Sequence, residues 1–308
     1  MTIKQKMKKN QIRKLYKILD LLPDKLILNL QYYATVGRKL NLSNPKRFTE
    51  KIHWYKLNYQ TPLMTKCADK YRVRDYIEDK GYSDLLPELY CVCDSYNQID
   101  FNGLPNSYAI KCNNGSGTNV FITNKYEADF NAVQGIVKSW SKVKTISVGR
   151  EWAYKNITQK IIIEELLIPT DDFQKKNGIN DYKILCFNGK PQYVWVDVGR
   201  FKNFRRSFYD LNWKKLDVIS NRRNSNDEVR KPDGFEKMLE IATEFSQDFP
   251  FVRVDFYSVN QKIYIGELTF YPWSGCVQFE PDEFDYELGR LFELPPVIRE
   301  KDIKFNEK

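Results

Sequence analysis

The stretch Phe251–Phe270 constrains the fold most, because it joins two alternating segments by a short turn. Phe251–Tyr257 and Ile263–Phe270 each alternate apolar and polar residues, which predicts two antiparallel strands with a turn near residues 258–261. A register that pairs odd-numbered with odd-numbered residues predicts one polar face. That face carries Arg253, Asp255, Glu267 and Thr269. The opposite, core face is predicted to carry Val252, Val254, Phe256, Tyr264 and Leu268.

The polar face of this hairpin has two interpretations. Two carboxylates held close together repel each other unless a cation neutralises them. Hard oxygen ligands of this kind suit Mg²⁺ that is bound together with phosphate oxygens. A solvated outer face with ordinary ion pairs explains the hairpin equally well, because antiparallel sheets commonly expose one polar face.

Length and composition indicate a globular chain. Its 308 residues, 42% of them apolar, can form one large domain or two to three subdomains. There is no run of about 18 apolar residues, so no membrane span is expected, and the basic start lacks the apolar core of a signal peptide. The expected location is therefore the cytoplasm. Six cysteines with a single histidine, His53, favour buried free thiols over a zinc site.

The positive charge is concentrated at the N-terminus. The net charge is +9, and residues 1–20 contribute +6 through seven Lys or Arg and one Asp, which leaves +3 for the rest. Nucleic acid is therefore not an expected partner. Residues 1–22 have the apolar spacing of an amphipathic helix. Such a helix suits contact with an anionic inner-leaflet surface, or packing on the domain with a solvated basic face.

A glycine-rich loop follows a predicted strand, and a second lysine lies upstream. Ser107–Cys112 is predicted as a strand that enters Asn113–Asn119, with Lys111 near its end. Backbone N–H groups of such a loop can cradle phosphates, although a plain hairpin turn also explains it, and no Walker A sequence is present. Lys70 lies in a helix predicted over Lys66–Glu78.

The remaining elements include a buried strand and a second hairpin. Gln159–Leu167 is predicted as a buried strand that carries Glu164 and Glu165, paired acids that need a partner. Asp181–Phe187 and Gln192–Val198 are predicted as a hairpin with a type I′ turn at Asn188-Gly189. Lysines, a glycine loop and carboxylates, with no Ser-His-Asp or Cys-His arrangement evident, suit phosphoryl transfer.

In their order along the chain these motifs resemble the ATP-grasp ligase superfamily. The order is Asp69-Lys70, Lys111 with Gly115–Gly117, Glu164-Glu165, Arg253-x-Asp255 and Glu267-x-Thr269. The segments that resemble its TupA-like branch, named for teichuronopeptide biosynthesis, are Ala68–Tyr71, Asp181–Lys190 and Gly266–Phe270. The resemblance covers about residues 45–295. It implies two α+β subdomains that clamp ATP, with a helical N-terminal extension and no full pre-ATP Rossmann-like domain.

The implied regions are a basic helical region at 1–60, a glycine-loop lobe at 61–165, a metal-binding lobe at 166–295 and a tail at 296–308. ATP would be bound by Lys70, Lys111, Asn113, Asn114, Gly115, Ser116, Gly117, Glu164, Glu165, Asp181 and Lys183. Magnesium would be held by Asp255, Glu267 and Thr269, with Arg253 facing the transferred phosphate or acyl intermediate. The superfamily usually has Asn at the position of Thr269. Because Thr is a weaker ligand, the resemblance does not decide whether one or two magnesium ions bind.

The resemblance implies a carboxylate–amine ligase that uses ATP and Mg²⁺. Its TupA-like branch implies surface-polysaccharide biosynthesis, in which an amine or amino acid is joined to a uronic acid. The arginines that could receive an acidic sugar are Arg200, Arg205, Arg206, Arg222 and Arg223, although each also suits a solvated surface. A glycan or sugar kinase, a glycosyltransferase and a non-enzymatic basic module remain as alternatives.

Overall fold

The computed structural model describes residues 21–140, 149–199, 203–221 and 229–302. The helix predicted for residues 1–22 lies outside these ranges except for its last two residues. Arg200, Arg222 and Arg223 also lie outside them, so their roles stay predictions. In the ranges described, no helix has both the length and the apolar composition needed to cross a bilayer.

Only helices precede the first strand in the described residues. They are α1 (Asp24–Val36), α2 (Phe48–Asn58), α3 (Pro62–Ala68) and α4 (Val73–Asp79). Helix α3 begins with Pro62 at its first turn, and the Thr61 side chain accepts from the Met64 N–H. The described residues before the first strand are therefore helical, as expected for the N-terminal extension.

The single helix predicted over Lys66–Glu78 is wrong, because the chain leaves the helical path between α3 and α4. The Asp69 carboxylate accepts from the backbone N–H groups of Tyr71 and Arg72, at 2.8 and 3.3 Å. Local side-chain bonding of this kind competes with a continuous helix. The break lets the Lys70 N–H donate to the Asn113 carbonyl at 3.0 Å, which ties the helical region to the glycine loop.

The first lobe contains a four-stranded antiparallel sheet. Its strands are β1 (Leu89–Cys93), β2 (Tyr108–Cys112), β3 (Asn119–Ile122) and β4 (Ile161–Glu165), in the order β1-β4-β2-β3. Helix α5 (Phe130–Trp140) belongs to the same lobe, and its Val133, Val137 and Trp140 join the core that includes Ile110 and Ile163. The 3-4 spacing of these residues gives the helix a single apolar face.

The second lobe contains a six-stranded antiparallel sheet in the order β10-β9-β5-β6-β7-β8. Its strands are β5 (Asp181–Phe187), β6 (Lys190–Val198), β7 (Arg205–Tyr209), β8 (Lys215–Leu216), β9 (Phe251–Val259) and β10 (Lys262–Thr269). Two-residue turns join β5 to β6 and β9 to β10. Positive φ angles at Asn188-Gly189 and at Asn260-Gln261 agree with type I′ geometry, as predicted for the first.

Three further helices accompany this sheet, α6 (Asp172–Asn177), α7 (Phe235–Ser246) and α8 (Glu283–Leu291). Helix α7 contacts β5, β6 and β9. Its fully buried Phe235, Met238, Ile241 and Phe245 share a core with Val254 and Phe256. The even-numbered residues of β9 are therefore occupied by packing, which leaves the odd-numbered face for the site.

The β9–β10 hairpin contains a bulge, and because of it the predicted core position of Tyr264 is wrong. Glu267 pairs with Asp255 and Thr269 with Arg253, as predicted, but the register shifts between Ile265 and Glu267. Beyond the shift Ile265 pairs with Phe256 and joins the core, whereas Tyr264 turns to the opposite face. An extra residue on one strand inverts the alternation on one side of it, and a strict period of two cannot foresee that.

Candidate active site

A cleft of about 730 Å³ lies between the two lobes. This size falls within the usual range for small-molecule sites. Most of the residues predicted to bind a nucleotide or metal line it. They are Lys70, Lys111, Gly115, Ser116, Gly117, Glu164, Glu165, Asp181, Lys183 and Glu267. The structure thus brings together motifs that are up to about two hundred residues apart in sequence.

The glycine loop between β2 and β3 is tightly folded over the cleft. The Thr118 carbonyl accepts from the Cys112 N–H at 3.0 Å, and the Gly115 carbonyl accepts from Lys70 Nζ at 2.7 Å. A side chain at Gly115 would overlap the Thr118 side chain, and Gly117 has a φ of +71°. Both glycines are therefore required by the loop conformation. The buried Thr118 hydroxyl has no hydrogen-bond partner among the described residues.

Asn113 and Asn114, predicted to bind ATP, do not line this cleft. Asn113 is fully buried beneath the loop. Its amide donates to Asp69 Oδ1 and the Thr158 carbonyl, both at 3.0 Å, and accepts from the Lys160 N–H at 2.7 Å. These bonds use the side chain fully, so Asn113 holds the loop to the helical region and to β4.

The two acids at the end of β4 have different environments. Glu164 is buried and forms an ion pair with Lys111. Glu165 is half-buried and accepts from the Glu88 N–H at 3.3 Å. The residues that follow, Leu166–Pro169, continue along the cleft wall. This strand end has a charged part beside the glycine loop and an apolar continuation.

The polar face of the hairpin converges on one atom, Arg253 Nη2. This nitrogen lies 2.6 Å from Asp255 Oδ2, 3.1 Å from Glu267 Oε1 and 2.9 Å from Thr269 Oγ1. Arg253 Nε also donates to Asp255 Oδ1 at 2.6 Å, which makes that pair bidentate. Burial opposes the charge on Arg253, but attraction to Asp255 and Glu267 outweighs it and raises the pKa of the guanidinium.

Two lysines extend this network on either side. Lys183, buried on β5, lies 2.6 Å from Asp255 Oδ2 and 3.7 Å from Asp181 Oδ2. Lys70 Nζ lies 3.7 Å from Glu267 Oε2, so it reaches from the glycine loop towards the second lobe. Each carboxylate predicted to bind metal is thus paired with cationic groups of the chain.

The residues predicted to bind magnesium fit that ion by chemistry. Two carboxylates and a hydroxyl are hard oxygen donors, and one atom of each lies within 3.1 Å of the same point. Among the described residues no group of three or more His, Cys, Asp or Glu side chains could hold a metal ion. Phosphate and water oxygens would therefore have to complete the coordination, as is usual for Mg²⁺.

Sequence reasoning missed an aromatic pair beside Arg253. Trp195 on β6 is fully buried, and its ring lies 4.9 Å from the Arg253 guanidinium and 5.1 Å from that of Arg206. Trp273 stacks on Trp195 with 4.2 Å between ring centroids. The period of two along β6 places Trp195 and Asp197 on one face, and that signal was available in the sequence.

The two described substrate candidates on β7 point to opposite faces, because they are adjacent in a strand. Arg206 shares the face of Arg253, but it is buried and bound bidentately to Asp197 at 2.6 and 2.9 Å. Arg205 is half-buried and pairs in register with Val198. The Arg206 guanidinium is therefore already matched within the protein.

A buried lysine fixes the segment that carries Trp273. Lys56 Nζ on α2 donates to the Ser274 carbonyl and hydroxyl at 2.8 and 2.7 Å and to the Gly149 carbonyl at 2.8 Å. Trp273 and Ser274 have φ angles of +51° and +56°, which are strained for residues with a Cβ. Burial lowers the pKa of Lys56 to about 8. The sequence gives no sign of this lysine, because its partners, two backbone carbonyls and the Ser274 hydroxyl, are distant in sequence.

Comparison with known proteins identifies the family. A family described as TupA-like ATPgrasp matches residues 50–293. The chain belongs to the TupA-like ATP-grasp family. This membership confirms the resemblance and the two-lobed α+β fold inferred from the sequence.

Several solved structures are similar to this TupA-like protein, each at low sequence identity. D-alanine–D-alanine ligase from Bacillus anthracis is 14% identical, with 66% of this chain and 57% of that one covered and a TM-score of 0.40. The Helicobacter pylori enzyme is 16% identical, with 74% and 61% covered and a TM-score of 0.40. N5-carboxyaminoimidazole ribonucleotide synthetase from Thermus thermophilus is 9% identical, with 66% and 45% covered and a TM-score of 0.36.

The TupA-like protein thus spans less than two thirds of the length of these three enzymes. No curated protein matches it.

Proposed function

We propose that the protein is an ATP- and magnesium-dependent ligase that joins a carboxylate to an amine through an acylphosphate. One observation carries the proposal. Lys70, Lys111 and the glycine loop face the same cleft as Glu267, which is itself part of the network around Arg253. A nucleoside triphosphate with its metal ion needs cationic and backbone N–H donors for the phosphates and carboxylates for the metal, and the cleft has these groups at its two ends.

We propose a binding role for each group in the cleft. Lys70, Lys111 and the N–H groups of Gly115–Gly117 would contact phosphate oxygens. The β4 end, with Glu165 and the apolar residues after it, would accept the adenosine part. Asp255 and Glu267 would hold magnesium, which would supply positive charge to neutralise the phosphate groups.

In the proposed reaction a carboxylate oxygen of the substrate attacks the γ-phosphorus of ATP, and ADP leaves. The amine nitrogen then attacks the carbonyl carbon of the acylphosphate, loses a proton, and phosphate leaves. Arg253 lies beside the carboxylates that would hold the metal, so its guanidinium is placed to stabilise negative charge on the transferred phosphoryl group. The proposal needs no histidine or cysteine nucleophile.

For the substrates we propose a uronic acid of a surface polysaccharide and an amine or amino acid. The TupA-like family supports this choice. The half-buried Trp273 offers an aromatic face on which a sugar ring could stack, whereas the neighbouring Arg206 is already paired with Asp197. A cytoplasmic reaction on the inner membrane face, reached through residues 1–22, belongs to the same proposal.

The test supplies ATP, Mg²⁺, glucuronate-type acceptors and a panel of amines, and measures ADP, free phosphate and the product mass. We expect ADP and phosphate in equal amounts and an amide product. Asp255→Asn and Glu267→Gln should each lower turnover by about 100-fold or more, because they weaken charge stabilisation in the transition state. Glu240→Gln, a surface change on α7, is the control.

Other outcomes identify the alternatives. If phosphate remains on the sugar and no amide forms, the protein is a kinase. If a nucleotide sugar is consumed and ATP is not, the protein is a glycosyltransferase. Full turnover by both carboxylate variants would exclude the proposed metal site.

A further inference from the structure

Arg253 occupies the point at which the expected magnesium ligands converge. Its Nη2 atom lies within 3.1 Å of one oxygen of Asp255, Glu267 and Thr269, the three residues assigned to the metal. A guanidinium nitrogen and a metal ion cannot share one position. In this arrangement the arginine acts as the cation of the site.

Burial makes this competition consequential for Asp255. Its side chain is 2% exposed, and both of its oxygens are contacted by Arg253. Lys183 contacts Oδ2 as well, at 2.6 Å. Glu267 differs, because its side chain is 37% exposed and lines the cleft. A metal arriving from the cleft therefore meets Glu267 first and reaches Asp255 only if Arg253 moves.

We propose that Arg253 closes the metal site to free divalent cations, and that a metal delivered with a nucleotide displaces it. This inference rests on the proposed function. A free Mg²⁺ ion that enters the site must break the ion pairs of Arg253 and give up part of its own water shell. Asp255 and Glu267 alone supply too few ligands to offset these two costs. A metal that brings phosphate oxygens needs fewer ligands from the protein. The displaced guanidinium gains the phosphoryl group as a new partner.

The geometry around Arg253 allows such a displacement. The guanidinium lies 4.9 Å from the Trp195 ring. The aromatic face of this ring can bind the guanidinium after Arg253 has lost its contacts with the carboxylates. Lys183 remains beside Asp255, so the carboxylate keeps one cationic partner. The movement therefore exchanges partners and leaves neither charge unpaired.

The test measures Mn²⁺ binding without nucleotide, from the electron paramagnetic resonance signal of the free ion. We compare the wild type with Arg253→Met and Arg253→Gln. Both variants remove the positive charge that competes for Asp255 and Glu267, so we expect Mn²⁺ to bind about tenfold tighter or more. Arg206→Met is the matched control, because Arg206 is also buried, bidentate to an aspartate and close to Trp195. Its Mn²⁺ affinity should equal that of the wild type.

Two additions make the result specific. Asp255→Asn combined with Arg253→Gln should remove the gain, because the gain depends on the released carboxylate. In the wild type, the ATP analogue AMP-PNP should tighten Mn²⁺ binding by more than in Arg253→Gln, since only the wild type must displace the arginine. Circular dichroism establishes that each variant is folded, and Arg253→Leu, which also removes the charge, replaces any variant that is not.

The proposal is overturned if folded Arg253 variants bind nucleotide-free Mn²⁺ no tighter than the wild type does, or if Arg206→Met shows the same gain. It is also overturned if AMP-PNP leaves the Mn²⁺ affinity of the wild type unchanged while AMP-PNP itself binds. Absence of any AMP-PNP binding is a separate result. It would count against the proposed function, whereas the nucleotide-free comparison would still decide the role of Arg253.

Discussion

At the residue scale, the ion pair between Lys111 and Glu164 combines structure with function. Lys111 lines the cleft, where we propose that it binds phosphate, and Glu164 is buried where an unpaired charge is costly. Removing the lysine therefore has two consequences, which a second substitution can separate. The same logic applies wherever a binding group neutralises a buried partner.

We expect Lys111→Met to weaken ATP binding strongly and to lower the free energy of unfolding by about 1–2 kcal/mol, since it leaves the buried Glu164 unpaired, although water can enter at the partly exposed position of Lys111. Adding Glu164→Gln should restore most of the stability but none of the ATP affinity. Urea unfolding and calorimetric titration with ATP are the measurements. If the double variant regains ATP affinity, Lys111 does not contact the nucleotide.

Sequence reasoning predicted which residues share a face well where they alternate in strands. Arg253, Asp255, Glu267 and Thr269 share a face as the period of two requires. It could not foresee that Asn113 would be consumed by Asp69 and backbone groups, because those partners are distant in sequence. Which polar side chain faces a ligand is decided by tertiary packing.

At the scale of elements, two helix glycines are in opposite situations. Gly289 on α8 lies so close to the segment before α2 that an added Cβ would overlap the Lys46 carbonyl oxygen and lie 2.9 Å from the Phe48 nitrogen. A Cβ added at Gly135 on α5 would have no atom within 4 Å apart from the neighbouring residues of its own helix. Glycine permits close helix packing at the first site and only lowers helix propensity at the second.

Gly289→Ala should lower the free energy of unfolding by about 1–3 kcal/mol, because backbone atoms must move to make room. Gly135→Ala should leave it unchanged or raise it by about 0.5–1 kcal/mol, since alanine favours the helix. Thermal and urea unfolding of both variants test the pair. Equal effects at the two positions would contradict the close approach of α8.

Lys56 couples α2 to the segment of Trp273, and this coupling should depend on pH. The pKa of Lys56 falls from 10.5 to about 8 on folding. Between these values the unfolded chain holds more protons than the folded one, so the free energy of unfolding rises with pH. Below about pH 8 both states are protonated and the contribution is constant.

We expect the difference in unfolding free energy between wild type and Lys56→Met to increase by about 3 kcal/mol from pH 8 to 10.5. Buried Glu151 and the Cys276 thiol face the same lysine. Cys276→Ser in both proteins removes the thiol from the titration. The exposed Lys237→Met is the control and should show no such slope. A flat difference for Lys56→Met would mean that this lysine stays charged.

At the scale of the whole molecule, the site is assembled from two lobes. The glycine loop and β4 come from the first sheet, whereas Asp181, Lys183 and Glu267 come from the second. The hairpins followed from local alternation, and the α+β class followed from the resemblance to the superfamily. The position of one sheet relative to the other across the cleft depends on contacts between residues that are distant in sequence, and no local pattern contains these contacts.

Binding of Mg²⁺ with AMP-PNP should therefore protect amides in both lobes from hydrogen exchange. We expect slower exchange in residues 113–118 and in residues 264–269, because the ligand bridges them. Helix α5, which lies outside the cleft, should be unaffected. Mass spectrometry of peptides measures all three regions in one experiment. Protection confined to one lobe would contradict a shared site.

The strand order of the second sheet separates two tasks in space. Asp255 and Glu267 lie on β9 and β10 at one edge, and Trp195, Asp197 and Arg206 lie on β6 and β7 towards the other, with Lys183 on β5 between. Under the proposed function, substitutions on β6 and β7 would alter which substrate is accepted without disturbing the end proposed to hold phosphate and metal. A lineage built on this sheet can diversify its chemistry of recognition while its energy-coupling step stays the same.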